Sequence, residues 1–413
     1  MTSALLRTRL VTLAQTILRR ALPVVSAAIP ARRQVVVSGY PETEGNASEV
    51  MRALLRSYDG QVVWLREPSG PRLALPDHPR LVTVDKASVA GLWAYLRAEA
   101  VFFTHGLYGS PRPTRRKPLV NLWHGDGPKA TRPGNGAGSL IPSTWLVAGT
   151  RLFGELKAAA FELSPDQLLV TGNPRTDQLW RPARPDALGS LGIEADFVLW
   201  MPTFRATRQE SGLRAWSEGE LGAGVQEVTP LLAALRERGM QLVVKPHPLD
   251  AEDRRAAGVV AVSDADLARA GVPLYALLGA SSGLVTDYSS VWVDYLLLDR
   301  PIAFLVPDRQ VYGRALVPAD VLDWLPGELV GDDRPFARFV ADLDAGGTRD
   351  AEVRRAVTER VGLHQSSRCA DDLLEALAAA GVLRARSGSA CQAQTEPGPD
   401  PRESQDGERQ RAR

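Results

Sequence analysis

Short apolar runs alternate with helical stretches from residue 34 to about residue 348. Runs such as Val35–Ser38, Val101–Thr104 and Leu284–Thr286 hold only three or four residues each, which is too short for a helix and typical of buried strands. Between them lie amphipathic stretches such as Ala47–Tyr58, which predict helices. This alternation predicts parallel βαβ units, so we expect an α/β fold.

The proline-rich stretch Arg181–Pro185 separates two series of strands and helices of similar size. A chain of 413 residues is long enough for two domains with a core each. We therefore predict two Rossmann-like domains, at residues 34–185 and 186–348, with a ligand cleft between them at the carboxyl ends of the strands. Closing helices are expected at 349–383 and a disordered polar tail at 384–413.

Residues 1–33 contain six arginines and no acidic residue. On a helical wheel Leu6, Leu10 and Leu13 share one face, while Arg9 and Arg19 share the other. The pattern is typical of an amphipathic helix that lies on an anionic membrane surface. A surface helix docked on its own domain would show the same pattern, so both interpretations stay open.

The composition excludes several classes of protein. A net charge of +1 carries no electrostatic signature of nucleic-acid binding, so no nucleic-acid partner is expected. The sequence contains no apolar run of about 18 residues, and we predict no transmembrane helix. Of the two cysteines, Cys369 and Cys391, the second lies in the polar tail, which argues against a structural disulfide and for a reducing cytosol.

A histidine follows one of the predicted strands of the first domain. His124 enters a glycine-containing turn directly after the apolar run Leu119–Trp123, and Gly125 and Gly127 allow the backbone to approach a ligand closely. A histidine at the carboxyl end of a strand can act as a general base near neutral pH. A histidine that only fixes the loop would give the same pattern. His78, His105 and His364 have no recognisable partner in the sequence.

The segment Thr286-Asp-Tyr-Ser-Ser290 follows a predicted strand of the second domain and precedes a predicted helix, Ser290–Leu298. Backbone amides at a helix start, together with the hydroxyls of Ser289 and Ser290, favour anion binding. Helix capping by Asp287 or Ser289 is equally compatible with the pattern.

Basic residues follow three other strands. Lys245 and His247 occur in Lys-Pro-His-Pro, where the prolines fix the backbone for a ligand contact or for a rigid turn. Arg175 and Arg205 are candidates to bind a phosphate in a bidentate manner. Arg175 is equally compatible with pairing to Asp177 or to a residue of the neighbouring domain.

Taken in chain order, these clusters resemble the CDP-glycerol glycerophosphotransferase family, which contains teichoic-acid primases and polymerases. The resemblance covers about residues 34–380, and five motifs in one order at strand ends make it specific. The matching segments are Trp123-His124-Gly125, Gly172-Asn-Pro-Arg-Thr-Asp177, Pro202-Thr-Phe-Arg205, Lys245-Pro-His247 and Thr286-Asp-Tyr-Ser-Ser290, followed by Asp294 and Tyr295.

The resemblance implies the two-Rossmann fold of the glycosyltransferase B type, with the acceptor on the side of the first domain and the nucleotide donor on the second. It implies that His124 removes the proton from an acceptor hydroxyl that attacks the β-phosphate of a CDP-polyol, so that CMP leaves. It also implies that His247 is the second catalytic histidine and holds the diphosphate of the donor together with Arg205, Ser289 and Ser290. The implied substrate-binding residues are Trp123, Gly125, Arg175, Thr203, Arg205, Lys245, Thr286, Asp287, Ser289 and Ser290.

The implied partners are CDP-glycerol or another CDP-polyol, a lipid-linked or polymeric hydroxyl acceptor, and the cytoplasmic face of an anionic membrane. No cofactor or metal is implied, and Asp264 and Asp266 fit a helix cap better than a metal site. Asp126 stands where family members often carry Thr, and we expect this change to alter acceptor contacts. The alternatives are a glycosyltransferase with a nucleotide-sugar donor and an inactive relative that binds polymer or membrane.

Overall fold

The computed structural model describes residues 17, 20–69, 72–114, 116–131, 141–202, 227–245, 258–307, 315–331 and 333–383. Most of the predicted N-terminal amphipathic helix and all of the predicted disordered tail lie outside these residues. Within them, residues 20–28 are helical, and Leu22 is buried in the core of the first domain. Among the described residues, no helix is both long and apolar enough to cross a bilayer.

The first sheet has seven parallel strands in the order β3-β2-β1-β4-β5-β6-β7. Valine-rich runs fill its centre, because branched side chains pack well on a sheet that is buried on both faces. The order reverses direction between β1 and β4, which creates a topological switch point. The strands are β1 (Gln34–Ser38), β2 (Gln61–Arg66), β3 (Leu81–Asp85), β4 (Ala100–Phe103), β5 (Leu119–Asn121), β6 (Trp145–Ala148) and β7 (Leu168–Val170).

Helices cover this sheet and begin at side-chain caps that satisfy free backbone amides. Glu44 accepts a hydrogen bond from the Ala47 amide, and Thr150 accepts one from the Phe153 amide. The helices are α1 (Gly45–Ser57), α2 (Val89–Arg97) and α3 (Arg151–Ala160).

The second sheet has six parallel strands in the order β10-β9-β8-β11-β12-β13, with its switch point between β8 and β11. Its strands are β8 (Phe197–Met201), β9 (Gln241–Val244), β10 (Val260–Ala261), β11 (Gly283–Thr286), β12 (Ile302–Phe304) and β13 (Glu328–Leu329). Its helices are α4 (Pro185–Gly189), α5 (Thr229–Glu237), α6 (Asp264–Ala270), α7 (Leu274–Ala280), α8 (Val291–Tyr295) and α9 (Ala337–Asp344).

Two closing helices divide their contacts between the two sheets. Helix α10 (Ala351–Val361) buries Val357 and Val361 in the core of the second sheet. Helix α11 (Cys369–Ala379) returns to the first sheet, where Leu373 and Leu377 join the core that α1 covers. The chain therefore ties the two units together at its C-terminal end.

The predicted α/β class with two parallel, doubly wound sheets is confirmed. Small differences concern element ends. The strand predicted to reach Trp123 ends at Asn121, because the Asn121 side chain accepts a hydrogen bond from the Trp123 amide and turns the chain. The helix predicted as Ser290–Leu298 is α-helical from Val291 to Tyr295 and continues as a 3-10 turn to Leu298.

Candidate active site

The His124 turn of the first sheet lies directly against the start of α8 in the second sheet. Gly125 has a φ of +136°, and a Cβ placed on it would lie 2.7 Å from the Ser290 Oγ. A Cβ on Gly127 would lie 2.5 Å from the Ser290 Cβ. No side chain fits in either place, so glycine at these two positions allows the two domains to touch here. The predicted meeting of the His124 turn and the Thr286–Ser290 segment is thus observed.

Arg175 links the two domains beneath this turn. Its guanidinium donates to the Asp294 Oδ2 from Nη2 at 2.6 Å and from Nε at 3.0 Å, and from Nη1 to the His124 backbone carbonyl at 2.8 Å. Of the alternatives that the sequence leaves open, Arg175 therefore pairs with the neighbouring domain. Asp177 instead accepts from the backbone amides of Cys369 and Ala370 and caps α11.

Polar groups complete the shell around Asp294, which is itself buried. The Tyr275 hydroxyl donates to Asp294 Oδ2 at 2.6 Å, and the Asn173 amide donates to Oδ1 at 2.8 Å. The Tyr275 ring also lies under the Arg175 guanidinium, 4.9 Å from centroid to Cζ. A buried ion pair needs such additional hydrogen bonds to offset its desolvation.

Asn46 fixes the same turn from the side of α1. Its side-chain oxygen accepts from the Arg175 amide at 3.0 Å, and its side-chain nitrogen donates to the Trp123 carbonyl at 3.1 Å. Both Trp123 and His124 are thus held through their backbone carbonyls. Because the contacts act on the backbone, they leave the His124 side chain free to meet a substrate.

His124 is surrounded by rings. Its imidazole stacks on the His105 imidazole at 4.5 Å with an interplanar angle of 10°, and it lies 4.0 Å from the Trp123 ring. Tyr40 meets His105 edge-on at 5.3 Å, and Phe161 meets Trp123 edge-on at 4.8 Å. This ring cluster joins the loops that follow β1, β4 and β5.

The His124 side chain is exposed to solvent on one side and surrounded by protein groups on the others. Desolvation by these groups lowers the pKa of His124 well below its ordinary value of 6.5, and the nearby His105, Lys157 and Arg175 act in the same direction. A hydrogen bond between the His124 ring and the Thr104 backbone acts in the opposite direction and raises this pKa. His124 is therefore neutral at pH 7 and able to accept a proton.

In the second domain the predicted anion-binding segment is built by local hydrogen bonds. Asp287 accepts from the Ser289 amide at 3.1 Å, and Thr286 donates to the Met201 carbonyl at 2.8 Å. Ser290 precedes the first residue of α8, and its side chain makes no capping hydrogen bond. The Ser289 Oγ accepts from the amide of Val291, the first residue of α8, at 3.5 Å, so Ser289 rather than Asp287 makes the capping contact, while the Ser290 hydroxyl faces the His124 turn.

Lys245 directly follows β9 as a buried cation and pairs with the Asp264 Oδ1 at 2.9 Å. Asp266 forms a capping box with Ser263 at the start of α6, as a helix cap requires. The described ranges contain no group of three or more acidic, histidine or cysteine side chains that could hold a metal ion. Thr203, Arg205 and His247 lie outside the described residues.

Asp126 has its carboxylate turned into the first domain. It is 2% exposed, and its Oδ2 accepts hydrogen bonds from the Gly149 and Thr150 amides at the start of α3. The expected effect of Asp126 on acceptor contacts is thus not direct, because the side chain anchors the His124 turn to α3.

An inter-domain cavity of about 320 Å³ opens beside the Arg175–Asp294 pair. Glu44 and Arg175 line it from the first half of the chain, and Asp264 and Tyr275 line it from the second. Its volume falls in the range of small-molecule sites. The sequence motifs alone gave no role to Asn46, Asn173, Tyr275 or His105, although Asn173 stands within a matching segment and His105 follows β4 in the same way that His124 follows β5.

Two doubly wound sheets that meet at a shared groove define a two-domain α/β protein of the glycosyltransferase B type. The model of the CDP-Glycerol:Poly(glycerophosphate) glycerophosphotransferase family matches residues 26–379, and the chain belongs to this family.

Curated relatives include a teichoic acid glycerol-phosphate primase of Bacillus spizizenii strain W23, 30% identical over 178 residues, 41% of this chain and 42% of the relative. A teichoic acid ribitol-phosphate primase of the same strain is 26% identical over 227 residues, 52% of this chain and 54% of the relative. The chain thus spans about half the length of the curated relatives it matches.

Among solved structures, the wall teichoic acid polymerase TagF superposes with a TM-score of 0.66 at 17% identity, covering 85% of this chain and 90% of that one. At this identity the likeness shows the fold.

Proposed function

We propose that this protein transfers glycerol phosphate, or another polyol phosphate, from a CDP-activated donor to a hydroxyl of a lipid-linked or polymeric acceptor. CMP is the second product, and the reaction belongs to the synthesis of a teichoic-acid-like envelope polymer. Family membership supports the reaction class, and the relatives that carry a glycerol-phosphate or ribitol-phosphate primase name support the polyol phosphate. A TagF variant solved after a soak with CDPG supports a CDP-linked donor.

The observation that carries this proposal is the contact between the His124 turn and Ser290 across the domain boundary. It brings the glycine-containing turn that carries His124 on the first sheet against Ser290, the residue that precedes α8 on the second. Acceptor and donor bound on opposite sheets would then meet at His124. Holding two substrates in this way is the main source of rate in phosphoryl transfer, where little covalent chemistry falls to the protein.

In the proposed chemical step the acceptor hydroxyl displaces CMP from the donor. His124 takes the proton of the acceptor hydroxyl as the oxygen attacks the β-phosphorus of the donor. A new oxygen–phosphorus bond forms, and the bond between the β-phosphorus and the bridging oxygen breaks. The electron pair of that bond leaves with CMP, so the product is a phosphodiester. In this proposal Trp123, Gly125, Lys245, Thr286, Asp287, Ser289 and Ser290 contact the substrates, together with His247, Thr203 and Arg205.

Arg175 takes a different part in the same proposal. Its guanidinium is engaged by Asp294 and by the His124 carbonyl, so we propose that it positions the base. It also lines the inter-domain cavity. These hydrogen bonds use three of its five N–H donors, so one donor on each Nη nitrogen remains for a contact with the substrate.

We place the protein at the cytoplasmic face of an anionic membrane. The exposed apolar residues Ile17, Val24 and Val25 lie beside the exposed Arg20, while Leu22 anchors the segment to the first domain. Apolar side chains flanked by arginine favour binding in the plane of an anionic surface. Co-sedimentation with anionic vesicles at low and high salt tests this placement, and binding that is absent or independent of salt would contradict it.

A donor screen with the purified protein tests the function. CDP-glycerol or CDP-ribitol should raise the melting temperature and release CMP when a hydroxyl acceptor is present, because a ligand of the native state stabilises it. Stabilisation by UDP-sugars alone would favour the glycosyltransferase alternative.

The variant His124→Ala should release CMP about 10²–10⁴ times more slowly than wild type, the usual contribution of a general base. His78→Gln is the matched control, because the His78 ring only accepts from the Arg80 amide in a surface loop. A wild-type rate in His124→Ala would remove the imidazole from the mechanism.

A further inference from the structure

His105 occupies the topological switch point of the first sheet. It follows β4 with only Thr104 between them, and β4 pairs with β1, where the strand order reverses. Tyr40 follows β1 and meets the His105 ring at 5.3 Å. In open α/β sheets, ligands bind in the crevice at this point, outside the carboxyl ends of the strands. The position of His105 is therefore that of a ligand contact.

The hydrogen bonds around Thr104 favour one tautomer of His105. The Thr104 hydroxyl accepts from the Tyr40 amide at 3.0 Å and lies 3.2 Å from the His105 Nδ1. Thr104 is fully buried, so its own hydrogen needs an acceptor, and Nδ1 provides one. A neutral His105 that accepts at Nδ1 carries its hydrogen on Nε2.

The Nε2–H group of His105 has no hydrogen-bond partner among the described residues, and the side chain is partly exposed. Burial lowers the pKa of His105 to about 4, with Lys86 acting in the same direction. The ring is therefore neutral at pH 7, and the Nε2–H donor persists through the working range of pH. Beside it, at 4.5 Å, lies the imidazole of His124.

We propose that His105 is a second substrate-contacting imidazole, whose Nε2–H donates a hydrogen bond to a phosphoryl oxygen of the group that is transferred at His124. The inference rests on the proposed function. A fixed donor aimed at an oxygen that gains negative charge stabilises the transition state more than the ground state. In this proposal His124 takes the proton of the acceptor hydroxyl, and His105 stabilises the phosphoryl group.

Two variants separate hydrogen bonding from ring packing. His105→Phe keeps an aromatic ring against His124 but lacks the N–H donor, whereas His105→Gln loses the ring and offers an amide N–H near the position of Nε2. We expect kcat of His105→Phe to fall about 10²–10³-fold, the effect of removing one donor to a developing oxyanion. His105→Gln should recover part of that loss. If His105→Phe keeps a wild-type kcat, or if the Gln variant is the poorer of the two, the hydrogen bond is ruled out.

A spectroscopic readout makes the result independent of turnover. The chain has five histidines, so ¹⁵N-histidine labelling gives a resolvable set of ring signals, and His105→Phe assigns one by its loss. The His105 signals should report the Nε2–H tautomer, and Nε2 should shift on titration with CDP-glycerol and with inorganic phosphate.

The two readouts distinguish the failure of this inference from that of the proposed function. Turnover by the wild type with an Nε2 signal that does not move overturns the role of His105 alone. An Nε2 signal that shifts with phosphate, in a protein that releases no CMP, removes the proposed function and keeps the phosphoryl contact. Absence of both removes both.

Discussion

Two buried arginines, Arg175 and Arg354, use the same chemistry in different places. Arg175 is 7% exposed and pairs with Asp294, while Arg354 is 1% exposed and pairs with Asp342 at 2.6 Å. Arg354 also reaches Asp299 at 2.6 Å and the Gly347 carbonyl. Each guanidinium thus neutralises a buried carboxylate and donates further hydrogen bonds to other groups.

The difference lies in what each arginine connects. Arg354 joins α9, α10 and the turn before β12, all within the second half of the chain. Arg175 joins the two halves and holds the carbonyl of His124. We therefore expect only Arg175 to affect the proposed reaction, because only its donors also hold the turn that carries His124.

The largest expected effect is that of Arg175→Ala. Removal of one partner of a buried pair leaves Asp294 uncompensated and should lower the free energy of unfolding by about 3–5 kcal/mol. The folded fraction should also release CMP about 10²-fold more slowly, because the His124 turn loses an anchor and a displacement of about 1 Å can cost that much. Urea unfolding and CMP release under stabilising conditions measure the two effects. A destabilised variant with a wild-type rate would refute the positioning role.

Arg354→Ala should match Arg175→Ala in stability and differ from it in rate. Asp342 would lose its buried partner, so unfolding should again become easier by about 3–5 kcal/mol. The CMP release of the folded fraction should stay within about twofold of wild type, since additive effects are expected of distant sites. Arg238→Ala, at an exposed pair with Asp344, is the control and should cost about 1 kcal/mol or less. A rate loss in Arg354→Ala as large as in Arg175→Ala would remove the distinction.

The fold could be predicted because its signal is local. Apolar runs such as Val35–Ser38 and Leu284–Thr286 lie in strands as predicted, since a strand buried on both faces needs a continuous apolar run. Strand β13 and helix α9 were missed. Strand β13 has only two residues, Glu328 and Leu329, and such a pair gives no periodicity.

The candidate site could be predicted only in part, because its contacts are distant in sequence. The link between Arg175 and Asp294 joins residues 119 positions apart, and local reasoning could not choose between Asp177 and a partner in the other domain. His105 was passed over because its stacking partner, His124, lies on the next strand of the sheet. Both histidines follow adjacent parallel strands of the sheet. That shared position is the signal from which we could have predicted that the two rings lie together.

The smallest expected effect is that of a change at Asp126. This residue lies two positions from His124, so it belongs with Arg175 among the residues that hold the His124 turn. Burial raises the pKa of its carboxyl to about 6, although the Lys157 charge and the Thr150 amide oppose the shift. The folded state thus binds more protons than the unfolded state between about pH 4 and pH 6, so this group's contribution to stability falls as the pH rises through that window. At pH 7 the buried carboxylate is charged at a cost.

Asp126→Asn removes that cost and keeps an oxygen that can accept from the Gly149 and Thr150 amides. The variant should be more stable than wild type at pH 7 by about 1–3 kcal/mol, and the gain should shrink towards pH 4. Urea unfolding at pH 4.5 and pH 7 measures it. Asp342→Asn is the matched control with the opposite sign, because its carboxylate balances the charge of Arg354. A stability difference for Asp126→Asn that does not change with pH would show that burial at the His124 turn does not penalise the charged carboxylate.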